Sequence, residues 1–268
     1  MKLSNKTILL TGATRGIGRE IALAFAGHGG KLVLAGRNKE ALEKTRADVE
    51  RAGGEAIVVP GDVTDAGWRQ TIVDKTIQTY GGLDILVNNA GVVSAGWFEK
   101  LSEEDVNQQL QVNLVAPILL THALLPTLRK SQEAAIVNVS SVFGLLGMPF
   151  YATYAATKAG IAHFGEAMHR ELADQGIHVM TVFPRATDTP MMETAGLGEQ
   201  VGFDYDTPED VAQALLEGLE SDQLTVNRAD DNSQAMIEAN QENPRELDKQ
   251  IQDMKPKLEA AVAHHRSM

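Results

Sequence analysis

Six short apolar runs recur along the chain at strand length: Thr7–Thr11, Lys31–Ala35, Ala56–Pro60, Leu83–Asn88, Ala135–Ser140 and His178–Phe183. They are rich in Val, Ile and Leu with little polar alternation, the pattern of strands covered on both faces. Segments of helical character separate them, near residues 16–28, 38–52, 66–80, 102–130, 151–174 and 208–219. The last opens on Thr207-Pro208-Glu209-Asp210, a capping residue followed by proline at the first helical position. Strands alternating with helices close through right-handed crossovers into a parallel sheet. The expected architecture is α/β, a doubly wound sheet in three α/β/α layers, with residues 1–228 forming a single domain.

The remainder, 229–268, has no aromatic residue and many Gln, Asn, Asp, Glu and Lys residues. Leu247, Ile251, Met254, Leu258 and Val262 nevertheless mark one helical stripe. A helical C-terminal extension is expected. Its stripe packs on its own domain or on a partner subunit, with a disordered tail as the other reading. Composition narrows the chemistry. The 268 residues include no cysteine, which excludes disulfides, thiolate metal sites and cysteine nucleophiles. Against 36 acidic residues stand 24 Lys and Arg, a net charge of −12 that repels phosphate backbones and anionic membranes. No nucleic-acid or membrane partner is therefore expected. Lys2 and Lys6 precede Ile8-Leu9-Leu10, but Thr11-Gly12 ends that run too early for a leader. The most apolar stretch, Val115 to Leu128, is broken by Pro117, Thr121, His122 and Pro126. A cytoplasmic protein is expected.

The first strand runs into Gly12-Ala13-Thr14-Arg15-Gly16-Ile17-Gly18 and then a helix. Glycines permit a tight turn and close approach of backbone to a pyrophosphate, and the helix N-terminus offers free N–H groups to an anion. The second strand ends in Gly36-Arg37-Asn38, with no carboxylate for a ribose 2′-hydroxyl. Arg37 suits a 2′-phosphate instead, and Arg15 is a candidate second cation; the plain reading of either is a solvated loop residue. Asp62-Val63 follows the third strand, where the carboxylate can accept from an adenine amino group or cap a helix. Asn88-Asn89-Ala90-Gly91 ends the fourth strand in small residues, which leave room for a nucleoside or simply form a turn.

Ser140-Ser141 puts hydroxyls at the C-terminal end of the fifth apolar run, where open α/β sheets bind ligands. Tyr154 and Lys158 follow at helical spacing. A free tyrosine, with a pKa near 10, is a poor base at neutral pH. A nearby ammonium favours the phenolate and makes the side chain a competent proton donor or acceptor. Taken together, Thr11-Gly12-x-x-x-Gly16-x-Gly18, Asn88-Asn89-Ala90-Gly91, Asn113, Ser141 and Tyr154-x-x-x-Lys158 resemble the short-chain dehydrogenase/reductases, single-domain enzymes with a Rossmann-type fold. Ser141 and Tyr154 stand 13 positions apart, the family's usual spacing. The resemblance runs from residue 5 to about 220.

That resemblance implies an oxidoreductase interconverting a small-molecule carbonyl and an alcohol, with NADP(H) as cofactor given Arg37. A reductase of 3-oxoacyl thioesters is the near alternative, and a non-catalytic dinucleotide-binding sensor or scaffold the distant one. Tyr154 would be the general acid or base, Ser141 would hold the substrate oxygen, Lys158 would hold the ribose and depress the Tyr154 pKa, and Asn113 would anchor a water leading to Lys158. Cofactor contacts would come from Gly12, Thr14, Arg15, Gly16, Ile17, Gly18, Arg37, Asp62, Val63, Asn89, Ala90, Gly91, Tyr154, Lys158, Pro184, Thr187 and Thr189. No metal is implied; the seven histidines lack zinc-like spacing, and His264-His265 reads as solvated.

Two departures stand out. The family's Pro-Gly after the sixth strand is Pro184-Arg185 here. Arg185 is read as solvated or in a structural ion pair, with an acidic substrate group as the other possibility. The usual glycine-rich last strand is replaced by Leu224-Thr225-Val226-Asn227. Family position sketches the substrate pocket from Ser94, Ala95, Val142, Met148, Phe150, Tyr151, Met191, Met192 and Leu197. The segment from Thr187 to Asp206, with Gly196, Gly198 and Gly202, has the length and glycines of a lid. A homodimer or homotetramer is expected, paired through Leu110, Leu114, Ile161, Phe164 and Met168.

Overall fold

The computed structural model describes residues 1–195 and 205–267. The strands are β1 (Thr7–Thr11), β2 (Lys31–Gly36), β3 (Glu55–Pro60), β4 (Ile85–Asn88), β5 (Val93–Ser94), β6 (Ala134–Val139), β7 (Ile177–Phe183), β8 (Thr225–Asn227) and β9 (Arg266–Ser267). The helices are α1 (Gly16–Ala26), α2 (Lys39–Arg51), α3 (Ala66–Tyr80), α4 (Glu103–Leu110), α5 (Ala116–Leu128), α6 (Ala152–Leu172), α7 (Pro208–Glu220), α8 (Asp231–Glu242) and α9 (Pro244–Val262). Seven strands form a parallel sheet in the order β3-β2-β1-β4-β6-β7-β8.

Successive residues of each central strand point to opposite faces, and both faces are apolar. Ile8, Leu10, Leu32, Leu34, Ile85 and Val87 pack against α1, α2 and α7 through Ile21, Phe25, Leu42 and Leu215. Leu9, Val33, Leu86 and Ile136 pack the other way against α3, α5 and α6 through Ile72, Leu120, Leu124 and Leu172. Double coverage is why the central strands read as mainly apolar runs with little polar alternation. The sheet reverses its winding at β1, which lies between β2 and β4. A ligand cleft belongs outside the strand ends at that point.

The helix expected over 102–130 is interrupted. A π-helical turn at Gln111–Val115 separates α4 from α5, which inserts an extra residue into the ladder and marks functional segments often. The stretch Glu103–Leu128 is long and apolar enough by length and composition to cross a membrane. Its residues Leu120, Leu124 and Leu128 lie under the sheet.

A third apolar cluster sits beyond the strand ends. Val142, Leu146, Met148, Phe150 and Tyr151 meet Met236 and Ile237 of α8 and Leu247, Leu258 and Val262 of α9. The stripe expected from the sequence thus packs on its own chain. After α9 the chain turns back as a strap, and β9 pairs antiparallel with β5, Val93 opposite Ser267 and Ser94 opposite Arg266. Ile161, expected at a subunit contact, is buried within the chain, and Met168 packs on the lower core.

Candidate active site

The glycine loop is pinned to the end of β4. Thr11 Oγ1 accepts from the backbone N–H of Asn89 (3.0 Å) and Ala90 (3.1 Å). Asn89 Nδ2 donates to the carbonyls of Thr11 (3.0 Å) and Gly12 (3.2 Å). Gly12 and Gly16 have φ of +71° and +55°, which side chains with a Cβ resist. A Cβ at Gly18 would overlap the Gly12 carbonyl oxygen. Gly18→Ala should therefore cost on the order of 3 kcal/mol, the upper end for overpacking. Urea unfolding checks this; a midpoint equal to wild type would disprove the tight α1–loop contact.

This end of the cleft fits a dinucleotide. α1 begins without a side-chain cap and with no acidic residue in its first turn, so its leading N–H groups are left for an anion. By contrast, α2, α3, α4, α7 and α8 are capped by Asn38, Asp65, Ser102, Thr207 and Asp230. Arg15 and Arg37 are exposed, line the cleft with Thr14, Ile17 and Gly36, and are outside every ion pair among the described residues. Asp65 takes the capping role on α3. Asp62 accepts through Oδ1 from the Thr64 N–H and hydroxyl and lines the cleft beside Val63. Asn89, Ala90, Gly91, Pro184, Thr187 and Thr189 complete this wall. The loop after β7 reaches the glycine loop, since a Cβ on Gly16 would lie 3.0 Å from Thr189.

Farther along the same cleft stand Ser141, Tyr154 and Lys158. Ser141 follows β6 and accepts from the Phe143 N–H (3.2 Å). Tyr154 and Lys158 lie one turn apart on α6, with Nζ 5.6 Å from the phenol ring centroid. Lys158 Nζ donates to the Val139 carbonyl (2.9 Å), and burial drags its pKa down to about 8. Burial pushes the Tyr154 phenol up to about 12, and the Ser141 hydroxyl draws it only part of the way back. Desolvation thus sets the direction in the protein alone, opposite to the depressed value that the Tyr154–Lys158 spacing suggests.

Asn113 stands apart from the cleft lining. It is buried in the π-helical turn, accepts from the Val92 N–H (2.8 Å), and donates to the Val92 carbonyl (2.9 Å) and to Thr157 Oγ1 (3.2 Å). These bonds hold the chain just after Gly91. A Cβ on Gly91 would sit 3.5 Å from both Asn113 Oδ1 and Lys158 Nζ.

The substrate end departs most from expectation. Val142, Tyr151, Met191 and Met192 line it. Ser94, by contrast, donates to the buried Asp105 carboxylate (3.0 Å). Ala95, Met148 and Phe150 belong to the apolar cluster behind. Leu197, Gly196, Gly198 and Gly202 lie outside the described residues. Arg185 donates through Nε to Asp206 (3.0 Å), and Arg228 holds the same carboxylate (2.9 Å). With Asp230 also near (3.7 Å), Arg185 forms a structural ion pair. Its charge is compensated by residues too distant in sequence to be paired by inspection.

His265 corrects the expectation of a solvated residue. It is 1% exposed, lines the cleft with Ser267, Ser233 and Asp230, and burial holds its pKa near 4. The fold favours its neutral form, so that contribution is complete above the ordinary pKa of 6.5. It is lost as pH falls from there towards 4. The loss should be on the order of 2–3 kcal/mol. Urea unfolding of wild type and His265→Phe at pH 7.5 and pH 4.5 checks the sign: the gap between them should narrow or reverse in acid.

The short chain dehydrogenase family matches residues 6–200. A 3-oxoacyl-[acyl-carrier-protein] reductase, FabG, of Thermotoga maritima is 35% identical over 224 residues, covering 81% of this chain and 91% of the relative. The ketoacyl reductase HetN of a Nostoc species is 33% identical over 220 residues, 82% and 77%. The 2,5-dichloro-2,5-cyclohexadiene-1,4-diol dehydrogenase LinX of Sphingobium indicum is 35% identical over 190 residues, 71% and 76%.

Proposed function

Because this chain belongs to the short-chain dehydrogenase family, we propose that it is an NADP(H)-dependent oxidoreductase interconverting a ketone or aldehyde with an alcohol. The observation that carries the reading is a single cleft with two cations outside every described ion pair, Arg15 and Arg37, at one end and Ser141, Tyr154 and Lys158 at the other.

The glycine loop and the start of α1 would hold the pyrophosphate, Arg37 and Arg15 the 2′-phosphate, and Lys158 the ribose next to the nicotinamide. When bound, the nicotinamide ring supplies or takes the hydride. Ser141 donates to the substrate carbonyl oxygen and stabilises the charge that grows there. Tyr154 delivers the proton to that oxygen in reduction and takes it back in oxidation. Its buried phenol keeps the proton at neutral pH, which suits the acid of a reduction. Asn113 acts from behind by holding the segment at Val92.

A 3-oxoacyl-thioester reductase is a second reading, favoured by what the Thermotoga and Nostoc relatives are named for. A sensor or scaffold is disfavoured, because binding alone needs neither the Ser141 nor the Tyr154 hydroxyl. The decisive experiment follows NADPH oxidation at 340 nm over a panel of ketones, aldehydes and 3-oxoacyl thioesters. Turnover confined to thioesters selects the second reading; NADPH binding with no turnover of any class overturns both. We carry a cytoplasmic location and a homodimer or homotetramer within this proposal. The exposed Leu119 of α5, with half-buried Leu110, Leu114 and Phe164 nearby, supports self-association, and a monomer at micromolar concentration would refute it.

A further inference from the structure

Two polar groups that the proton-transfer set does not use meet at the substrate end, Tyr151 just before α6 and His265 on the C-terminal strap. The Tyr151 hydroxyl is buried and has no hydrogen-bond partner among the described residues, although its residue lines the cleft. Its ring lies 6.3 Å from that of Tyr154 and 5.9 Å from that of His265. The imidazole of His265 uses Nδ1 with Thr194 Oγ1 (3.1 Å), and the described residues place no partner on Nε2.

This arrangement is built rather than incidental. The backbone N–H of Ala95 donates to the His265 carbonyl (3.0 Å), and β9 pairs with β5 on the next two residues. Arg266 approaches the buried Asp105 (3.6 Å), the carboxylate that also holds Ser94. Trp97 Nε1 donates to Glu259 on α9 (2.6 Å). On the Tyr151 side, Phe150 has a φ of +72°, left-handed backbone that a bulky residue adopts only when its surroundings impose it. The Gly96 N–H holds the Phe150 carbonyl (2.9 Å).

We propose that Tyr151 and His265 form a second polar subsite, which takes a neutral hydrogen-bonding oxygen on the substrate, a hydroxyl or further carbonyl a few bonds from the reacting carbonyl. The proposal rests on the reading of the cleft as a carbonyl and alcohol site. The rest of this end selects the same class. Val142, Phe143, Met191 and Met192 are apolar. Arg185, the cation at this end, is engaged by Asp206 and Asp230, so it is not free to pair with a substrate carboxylate. Burial keeps His265 neutral at physiological pH. A buried polar group left unpaired is costly, so a ligand that pairs with it gains over one that cannot.

The test measures dissociation constants by saturation-transfer NMR for hexan-2-one and for hexane-2,3-dione, hexane-2,4-dione and hexane-2,5-dione, on the full chain with NADP⁺. At least one dione should bind about tenfold tighter than the monoketone, as expected for about one hydrogen bond in a dry site. In Tyr151→Phe and in His265→Phe that ratio should fall to roughly threefold or less. NADPH fluorescence titration verifies that each variant still holds cofactor. Equal binding of all four ketones by the unaltered protein overturns the subsite, whatever the variants do, as does an unchanged ratio in both variants. Dione-selective binding without turnover would leave the subsite standing and sink the oxidoreductase reading. Turnover without selectivity would do the opposite.

Discussion

Replacing Tyr154 with Phe should lower kcat by ~10²–10⁴-fold, the contribution of a positioned general acid. The substitution keeps the ring, and with it the edge contact to Tyr151 at 6.3 Å. It removes the one phenol that stands beside both Ser141 and Lys158 in the cleft. NADPH affinity should survive, because the glycine loop, Arg37 and Lys158 are untouched. Steady-state kinetics with the best carbonyl of the panel, alongside fluorescence titration of NADPH, separate the two effects. A variant keeping more than about a tenth of the wild-type rate would show that another group supplies the proton. A fall in NADPH affinity of similar size would show that the phenol is a binding group first.

Arg37→Asp should remove or reverse the preference for NADPH over NADH. The unaltered protein should favour NADPH by roughly 10- to 150-fold in kcat/KM, the worth of a charge-assisted hydrogen bond of ~1.5–3 kcal/mol. Gly36 keeps the end of β2 slim beside Thr14, where a Cβ would meet the Thr14 side chain at 2.9 Å. Arg37 is exposed at that edge and makes no ion pair with any described residue. The introduced carboxylate would repel a 2′-phosphate and accept from a 2′-hydroxyl, so both arms of the ratio move in one direction. Arg15 supplies a second charge to the same region, and Arg15→Ala should weaken NADPH binding while leaving NADH binding nearly level. Equal efficiency with both cofactors in the unaltered protein would remove Arg37 from the cofactor site.

The parts that sequence alone determined are those whose chemistry is local. Each strand of the parallel sheet except the short β8 was legible as a mainly apolar run, with only single polar residues such as Asn138 and Thr181 inside it. Tyr154 and Lys158 were legible because one helical turn joins them, and the glycine loop because strand, turn and helix follow in order. The tertiary structure decided what depends on residues far apart in the chain. The sequence marked Asn113 as the anchor of a water leading to Lys158, but only the fold shows that the π-helical turn seats it behind Gly91, bonded to Val92 and Thr157. Arg185 found its partner in Asp206, a pairing that no periodicity announces. His265 carried no signal in a polar tail, since its burial depends on α9 folding back and on two residues of β9 meeting β5. Such short strands are too brief to show a pattern, and their pairing is stabilised by the packed cluster around Leu258 and Val262. The Tyr154–Lys158 end of the cleft is thus written in spacing along the chain, whereas the end lined by Tyr151 and His265 exists only once its distant segments have packed together.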